Sequence, residues 1–158
     1  MDAVYNSTGM LPEPVELAVH NASAKKTALL RISNAGFAAI FELYLGNERI
    51  GYANCFALNT HDHLICDLRI GSERSPRRPS WLKAFASSDP RGHGWGSLLL
   101  QAVIDETRRC GFRTLMADVT PADDAGNRDL VAWYGRHGFV ASRTAAACPH
   151  WRRLKRSL

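Results

Sequence analysis

Apolar and polar positions alternate along the first half of the chain and take a helical period along the second. Between Ala38 and Leu45, Phe41, Leu43 and Leu45 alternate with Glu42 and Tyr44, the signature of a half-buried strand. Gly46-Asn47-Glu48 marks a tight turn, and Ile50–Leu58 reads as the returning strand. A second turn at Asn59–Asp62 leads to a third strand, His63–Ile70. The three form an antiparallel meander, preceded by a short apolar strand at Ala28–Ile32. Upstream, Pro14–Lys26 reads as a helix, with Pro14 in the first turn and Val15, Leu17, Ala18 and Ala22 on an apolar side. Residues 1–12 are polar and turn-like and are expected to be loose.

The second half changes period. Gly71–Ser80 is polar, basic and interrupted by Pro76 and Pro79, so it reads as a loop. Trp81–Ala86 is a short apolar strand, ended by Ser87-Ser88-Asp89-Pro90. Gly94–Cys110 reads as an amphipathic helix with Leu98, Leu99, Ala102 and Val103 inward and Gly111 as its stop. A strand at Phe112–Val119, a loop at Pro121–Gly126, a helix at Asn127–His137 and strands at Phe139–Thr144 and His150–Leu154 complete the chain. This order predicts a βαβ unit and a mixed α/β fold, a curved sheet with helices on both faces, in one domain spanning residues 1–158.

Composition supports a globular chain: 158 residues, 46% apolar and 22% charged. No apolar run reaches membrane-spanning length, and the first residues lack the pattern of a secretory signal, so a cytoplasmic protein is expected, without a membrane partner. Cys55, Cys66, Cys110 and Cys148 match no paired metal-knuckle spacing and read as small apolar residues. His61, His63 and Cys66 form only a weak candidate ligand set, so no metal is expected. The formal charge of +5 gathers at Arg74–Arg78 and in the tail from Arg152 to Arg156, which suits a phosphate-rich cofactor, RNA or an acidic partner equally.

Chemistry concentrates in Arg91-Gly92-His93-Gly94-Trp95-Gly96, between a strand end and a helix start. The first turn of a helix has amides without intrahelical partners, aligned with the positive end of its dipole. Glycines let a phosphate approach that backbone, and Arg91 adds charge. The triphosphate loop needs Gly-Lys-Ser/Thr, which is missing, and the spacing Gly-x-Gly-x-Gly departs from the dinucleotide fingerprint.

With Arg91, Gly94 and Gly96 filling Arg/Gln-x-x-Gly-x-Gly/Ala, the segment resembles the coenzyme A-binding motif of the GNAT acyltransferases. Asn127 through Tyr134 to Gly138-Phe139 is similar to that family's Asn-x(6)-Tyr-x-x-x-Gly-Phe segment, and His150–Leu154 to its closing strand. The resemblance runs from about Trp81 to Leu154. It implies a GNAT-like sheet with two splayed parallel strands, here Trp81–Ser87 and Phe112–Val119, with acetyl-CoA between them as co-substrate. It implies contacts from Phe85 and Ala86 to the pantetheine arm and from the amides of His93 to Ser97 to the diphosphate. It implies that Tyr134 protonates the departing thiolate while an amine attacks the thioester directly. Asn127 either orients the cofactor arm or caps the helix.

Glu42, Asp67 and Asp118 are the candidates for a general base, and the strand before the motif, where many relatives carry theirs, has no acidic residue. The family's two substrate helices after the first strand find only one counterpart here, so the acceptor side is reduced, completed by Gly71–Ser80 or by a second subunit. The expected reaction is acetylation of a primary amine on a small molecule, peptide or lysine. The alternatives are acetylation of aminoacyl-tRNA, with the basic segments on RNA, and a non-catalytic coenzyme A-binding module.

Overall fold

A single mixed sheet of eight strands, in the order β1-β2-β3-β4-β5-β6-β8-β7, organises the computed structural model. It describes residues 13–71, 91–126, 129–142 and 151–158. The expected loose segment 1–12, the loop Gly71–Ser80 beyond its first residue and the strand Trp81–Ala86 lie outside the described residues.

The predicted helix at Pro14–Lys26 is instead strand β1 (Val15–Asn21), a turn, and the start of β2 (Lys26–Asn34). The two pair antiparallel from Val15↔Ile32 to Asn21↔Lys26. The apolar residues Val15, Leu17 and Val19 repeat every second position, and that period lets each lie across from Ile32, Leu30 and Ala28. Pairing with β2 therefore overrides the helical propensity of the alanines. The meander follows as predicted: β3 (Ala38–Leu45), β4 (Glu48–Ala57) and β5 (Asp62–Ile70) are all antiparallel.

Helix α1 (Trp95–Arg109) connects β5 to β6 (Thr114–Val119), which runs parallel to β5. It buries Leu99, Leu100, Val103 and Ile104 completely against Leu30, Phe41, Leu43 and Leu115. Burying a side chain of this size contributes about 1.5–3 kcal/mol. The expected loop at Pro121–Gly126 is a short helix, α2 (Pro121–Gly126). Thr120 and Asp123 cap it reciprocally: the Asp123 carboxylate accepts from the Thr120 amide at 3.0 Å, and the Thr120 hydroxyl accepts from the Asp123 amide at 3.1 Å. Helix α3 (Leu130–Arg136) packs beside the first turn of α1, on the same sheet face. Helices on both faces were expected. The opposite face of β1–β5 carries polar cross-strand rows such as Glu16, Arg31, Glu42, Tyr52 and Arg69, which do not require a covering helix.

The last strands are β7 (Val140–Ala141) and β8 (Arg152–Ser157), the latter shifted toward the terminus relative to His150–Leu154. In β8, Leu154 faces Ala117 in the core, and Arg153 makes a fork of two 2.7 Å bonds to Asp118 across the β6–β8 register. No helix among the described residues is long and apolar enough to cross a membrane.

His63, paired across β5–β6 with Leu115, is 4% exposed, stacks on Phe112 at 4.5 Å and lies 3.0 Å from the Thr107 hydroxyl. Burial lowers its pKa below the ordinary imidazole value. The unfolded chain therefore takes up a proton that the folded one resists, and stability is lost as pH falls below about 6.5. In urea titrations at about pH 7.5 and 5.5, the wild type should lose more stability over that interval than His63→Gln. Equal losses would show that His63 does not govern the slope.

Candidate active site

The site begins where β5 and β6 part. They pair from Asp62↔Thr114 to Ile65↔Ala117 and no further. The cause lies on the other edge of β5, where the register with β4 moves from Asn54↔Asp67 to Cys55↔Ile65 and leaves Cys66 as an extra residue. Such a bulge bends and twists its strand. Beyond it, β5 continues to Ile70 and β6 to Val119 without pairing to each other. The result is a V-shaped opening with backbone groups along its β5 edge. Among the described residues the strand that parts from β6 is β5, and the expected splayed strand Trp81–Ser87 lies outside the described residues. The expected contacts Phe85 and Ala86 lie outside the described residues, as does Asn127.

The glycine-rich turn stands at the mouth of this opening. Gly94 is the N-cap of α1 with φ 81°, a left-handed conformation that favours glycine. It offers no side-chain cap, and the first turn carries no acidic residue. The first helical bond runs from the Leu98 amide to the Gly94 carbonyl at 3.1 Å, so the amides of Trp95, Gly96 and Ser97 precede the ladder. Arg91, Gly92, His93 and Gly94 are exposed, whereas the Trp95 side chain is buried and acts as an anchor rather than a ligand. A Cβ at Gly96 would lie 3.6 Å from both Ile70 Cγ1 and Trp133 Cζ2, so Gly96 sits between the end of β5 and α3.

Two supports hold this turn that the sequence did not disclose. Buried Asn21, at the end of β1, donates to the His93 carbonyl at 2.9 Å and accepts from the Ala24 amide at 3.1 Å. The β1–β2 turn thereby braces a segment 72 residues away. An asparagine closing a strand was the only local signal. On the other side, the Ser97 hydroxyl accepts from Trp133 Nε1 at 3.2 Å and lies 3.0 Å from His137 Nε2. The Ser97 side chain is thus turned toward α3.

Tyr134 is 6% exposed, edge-on to Trp133 at 4.8 Å and to Phe139 at 5.1 Å. Burial, and then negative charge from the side of Cys55, Asp123 and Asp67, pushes its phenol well above the ordinary range, so it stays protonated. No hydrogen bond to its hydroxyl is present among the described residues. No sealed side-chain oxygen or nitrogen there lacks a partner either, so the phenol oxygen is not sealed in the core.

The three carboxylate candidates separate by position. Glu42 is on β3, two strands from the opening, and pairs with Arg49 at 2.7 Å. Asp118 is held in the Arg153 fork, with both side chains about a tenth exposed or less. Asp67 lies on the unpaired stretch of β5, accepting from the Tyr52 hydroxyl at 2.8 Å and from Arg69 Nε at 3.0 Å. The structure places Asp67 and Tyr134 at the opening and leaves Glu42 away from it. Of the basic segments, Arg74–Arg78 lies outside the described residues. In the tail, Arg153 is committed to Asp118, and Arg156 donates to the His137 carbonyl.

The sequence matches the model of the acetyltransferase (GNAT) family over residues 11–139. The chain belongs to the GNAT family. No curated protein sequence matches it. Among solved structures, it is similar to the GNAT domain of S. lividans PAT, at 13% identity and a TM-score of 0.65, over 90% of this chain and 97% of that one. It is also similar to a GNAT family acetyltransferase from Elizabethkingia anophelis with acetyl-CoA bound, at 13% identity and a TM-score of 0.57, over 77% of each chain. A third is the PaiA N-acetyltransferase of Thermoplasma acidophilum in complex with coenzyme A, at 11% identity and a TM-score of 0.54, over 77% of this chain and 61% of that one. At these identities the structures establish a shared fold. Against the GNAT pattern of two helices after the first strand, this chain has a four-residue turn, Ala22 to Lys25, between β1 and β2.

Asn21→Asp keeps the acceptor for the Ala24 amide but removes the donor to the His93 carbonyl. It should lower stability by about 1–3 kcal/mol, because a buried carboxylate then faces the His93 carbonyl where a donor stood. Equilibrium denaturation checks this; an unchanged midpoint would show that the hairpin does not brace the turn.

Proposed function

We propose that this GNAT acetyltransferase transfers an acetyl group from acetyl-CoA to a primary amine by direct attack on the thioester. The observation that carries the proposal is the unpaired first turn of α1, behind a left-handed glycine, at the mouth of a parallel strand pair that opens after Ile65 and Ala117. A diphosphate suits the amides of Trp95, Gly96 and Ser97, while Gly94 supplies the left-handed φ of 81° and packs against Asn21 and Ser23 of the β1–β2 turn. An amide-bearing arm suits the free edge of β5 between Cys66 and Ile70, because an unpaired strand edge seeks backbone-like partners. Arg91 lies one residue before the glycines, on the exposed part of the turn, and adds charge toward the same group.

Tyr134 holds a proton within the opening and gives it to the departing sulfur. Asp67 is the carboxylate positioned to receive the proton of the attacking amine, through water, because it alone of the three candidates lies on the splayed part of β5. Tyr52 and Arg69 fix its two oxygens. Asp118 is too engaged with Arg153 to serve, and Glu42 is too far across the sheet. With a tight turn between β1 and β2, the acceptor meets an open sheet face rather than a helical cover, which suits an amine presented on a protruding chain. The commitment of Arg153 and Arg156 to internal contacts favours a peptide or small amine over RNA.

Gly94→Asp should abolish coenzyme A binding, since it strains a position at φ 81° and sets a carboxylate against Asn21 Oδ1, displacing the turn that presents the first amides of α1. Calorimetric titration reads this, and wild-type affinity in the variant would move the cofactor elsewhere. Tyr134→Phe should lower turnover about 100-fold, within the range of general acid catalysis, with coenzyme A affinity retained. Thiol release assayed over a panel of amines measures it, and undiminished turnover would assign the acid to another group.

A further inference from the structure

Ser97 is the third residue of α1, and its hydroxyl joins that helix to α3. A serine hydroxyl has one proton and two acceptor positions. Trp133 Nε1 can only donate, so it takes one acceptor position. His137 Nε2 completes the contact at 3.0 Å, accepting the Ser97 proton in the Nδ1–H tautomer and donating to the second acceptor position in the Nε2–H tautomer. Burial, with the nearby cations Arg156 and Arg136, lowers the pKa of His137 and keeps it neutral. The hydroxyl is thereby held by two side chains of α3.

The two partners stand one turn apart on α3, with their rings 5.1 Å apart at 64°. Trp133 also lies edge-on to Tyr134 at 4.8 Å and against the Gly96 backbone position. The indole thus lies against two parts of the site: the first turn of α1, at Gly96 and Ser97, and the Tyr134 ring. Its orientation about χ2 is fixed by the one hydrogen bond to Ser97.

We propose that Ser97 is a positioning residue: its hydroxyl locks the Trp133 indole, and the locked indole holds the Tyr134 phenol at a set place relative to the first-turn amides of α1. The proposal rests on the acyl-transfer reading, in which those amides take the diphosphate and Tyr134 is the acid. Freeing the indole lets the phenol shift and meet water. Rate then falls through geometry, and the phenol loses part of the burial that keeps it protonated.

The test is Ser97→Ala, with Ser97→Thr as the conservative variant. Ser97→Ala should lower kcat about 10-fold while KM and calorimetric affinity for coenzyme A stay within about 3-fold. Its kcat should also decline at a lower pH on the alkaline side than that of the wild type, and Ser97→Thr should restore both. A brace of purely structural importance would lower the melting temperature and leave kcat and the alkaline decline in place, and that result would overturn the proposal. Spectrophotometric tyrosine titration, with Tyr134→Phe as the blank, reads the phenol without turnover. Earlier ionisation of Tyr134 in Ser97→Ala supports the proposal even if no amine is acetylated, in which case the acyl-transfer reading fails alone. Unchanged ionisation overturns it.

Discussion

A parallel strand pair that stops pairing midway is the constraint on which the rest of this structure depends. Backbone amides and carbonyls are strong hydrogen-bonding groups, and leaving them unpaired inside a fold is costly. Here the extra residue Cys66 turns β5 away from β6, and the pairing of the two ends at Ile65 and Ala117. The sheet can carry the break because β5 stays paired with β4 on both sides of the bulge, and β6 keeps an unbroken register with β8. The Asp118–Arg153 fork ties β6 to β8 at the level where β6 loses its other neighbour.

Around that opening, three separate parts of the chain converge on the first turn of α1. The β1–β2 hairpin reaches it through Asn21, β5 through Ile70 against Gly96, and α3 through the Ser97 hydroxyl. None of these contacts supplies the chemistry. They fix the amides of Trp95 to Ser97 in a direction, and electrostatic binding of a phosphate group depends on such fixed dipoles. The Ser97 hydroxyl bond to Trp133, whose ring meets Tyr134 at 4.8 Å, ties those amides to the phenol, so in the proposed reaction one frame serves both the cofactor and the acid.

Much of this was legible in sequence. Strand β3 could be read to the residue from the alternation of Phe41, Leu43 and Leu45 with Glu42 and Tyr44. Helix α1 was bracketed by its glycines, and the Arg91–Gly96 and Tyr134–Phe139 segments marked one end of the site. What failed were features set by distant partners. Val15, Leu17 and Val19 have both a strand period and helix-compatible neighbours, and only β2 decides between them. The Thr120–Asp123 capping pair was visible locally but was read as a loop because Pro121 and the acidic run suggested a turn. The parting of β5 from β6 was not read, because a bulge depends on the register of two strands and leaves no composition of its own. Asn21 and the Ser97 clasp are likewise contacts across 72, 36 and 40 residues, beyond any local pattern.

The central claim is that one continuous surface, from the first turn of α1 to the unpaired edge of β5, holds coenzyme A. Amide hydrogen exchange measured with and without coenzyme A tests this most directly. The account predicts slowed exchange confined to the amides of Trp95, Gly96 and Ser97 and to β5 beyond Ile65, with β1 to β3 unchanged. Binding that left those two segments unprotected, or protected β1 to β3 instead, would contradict it.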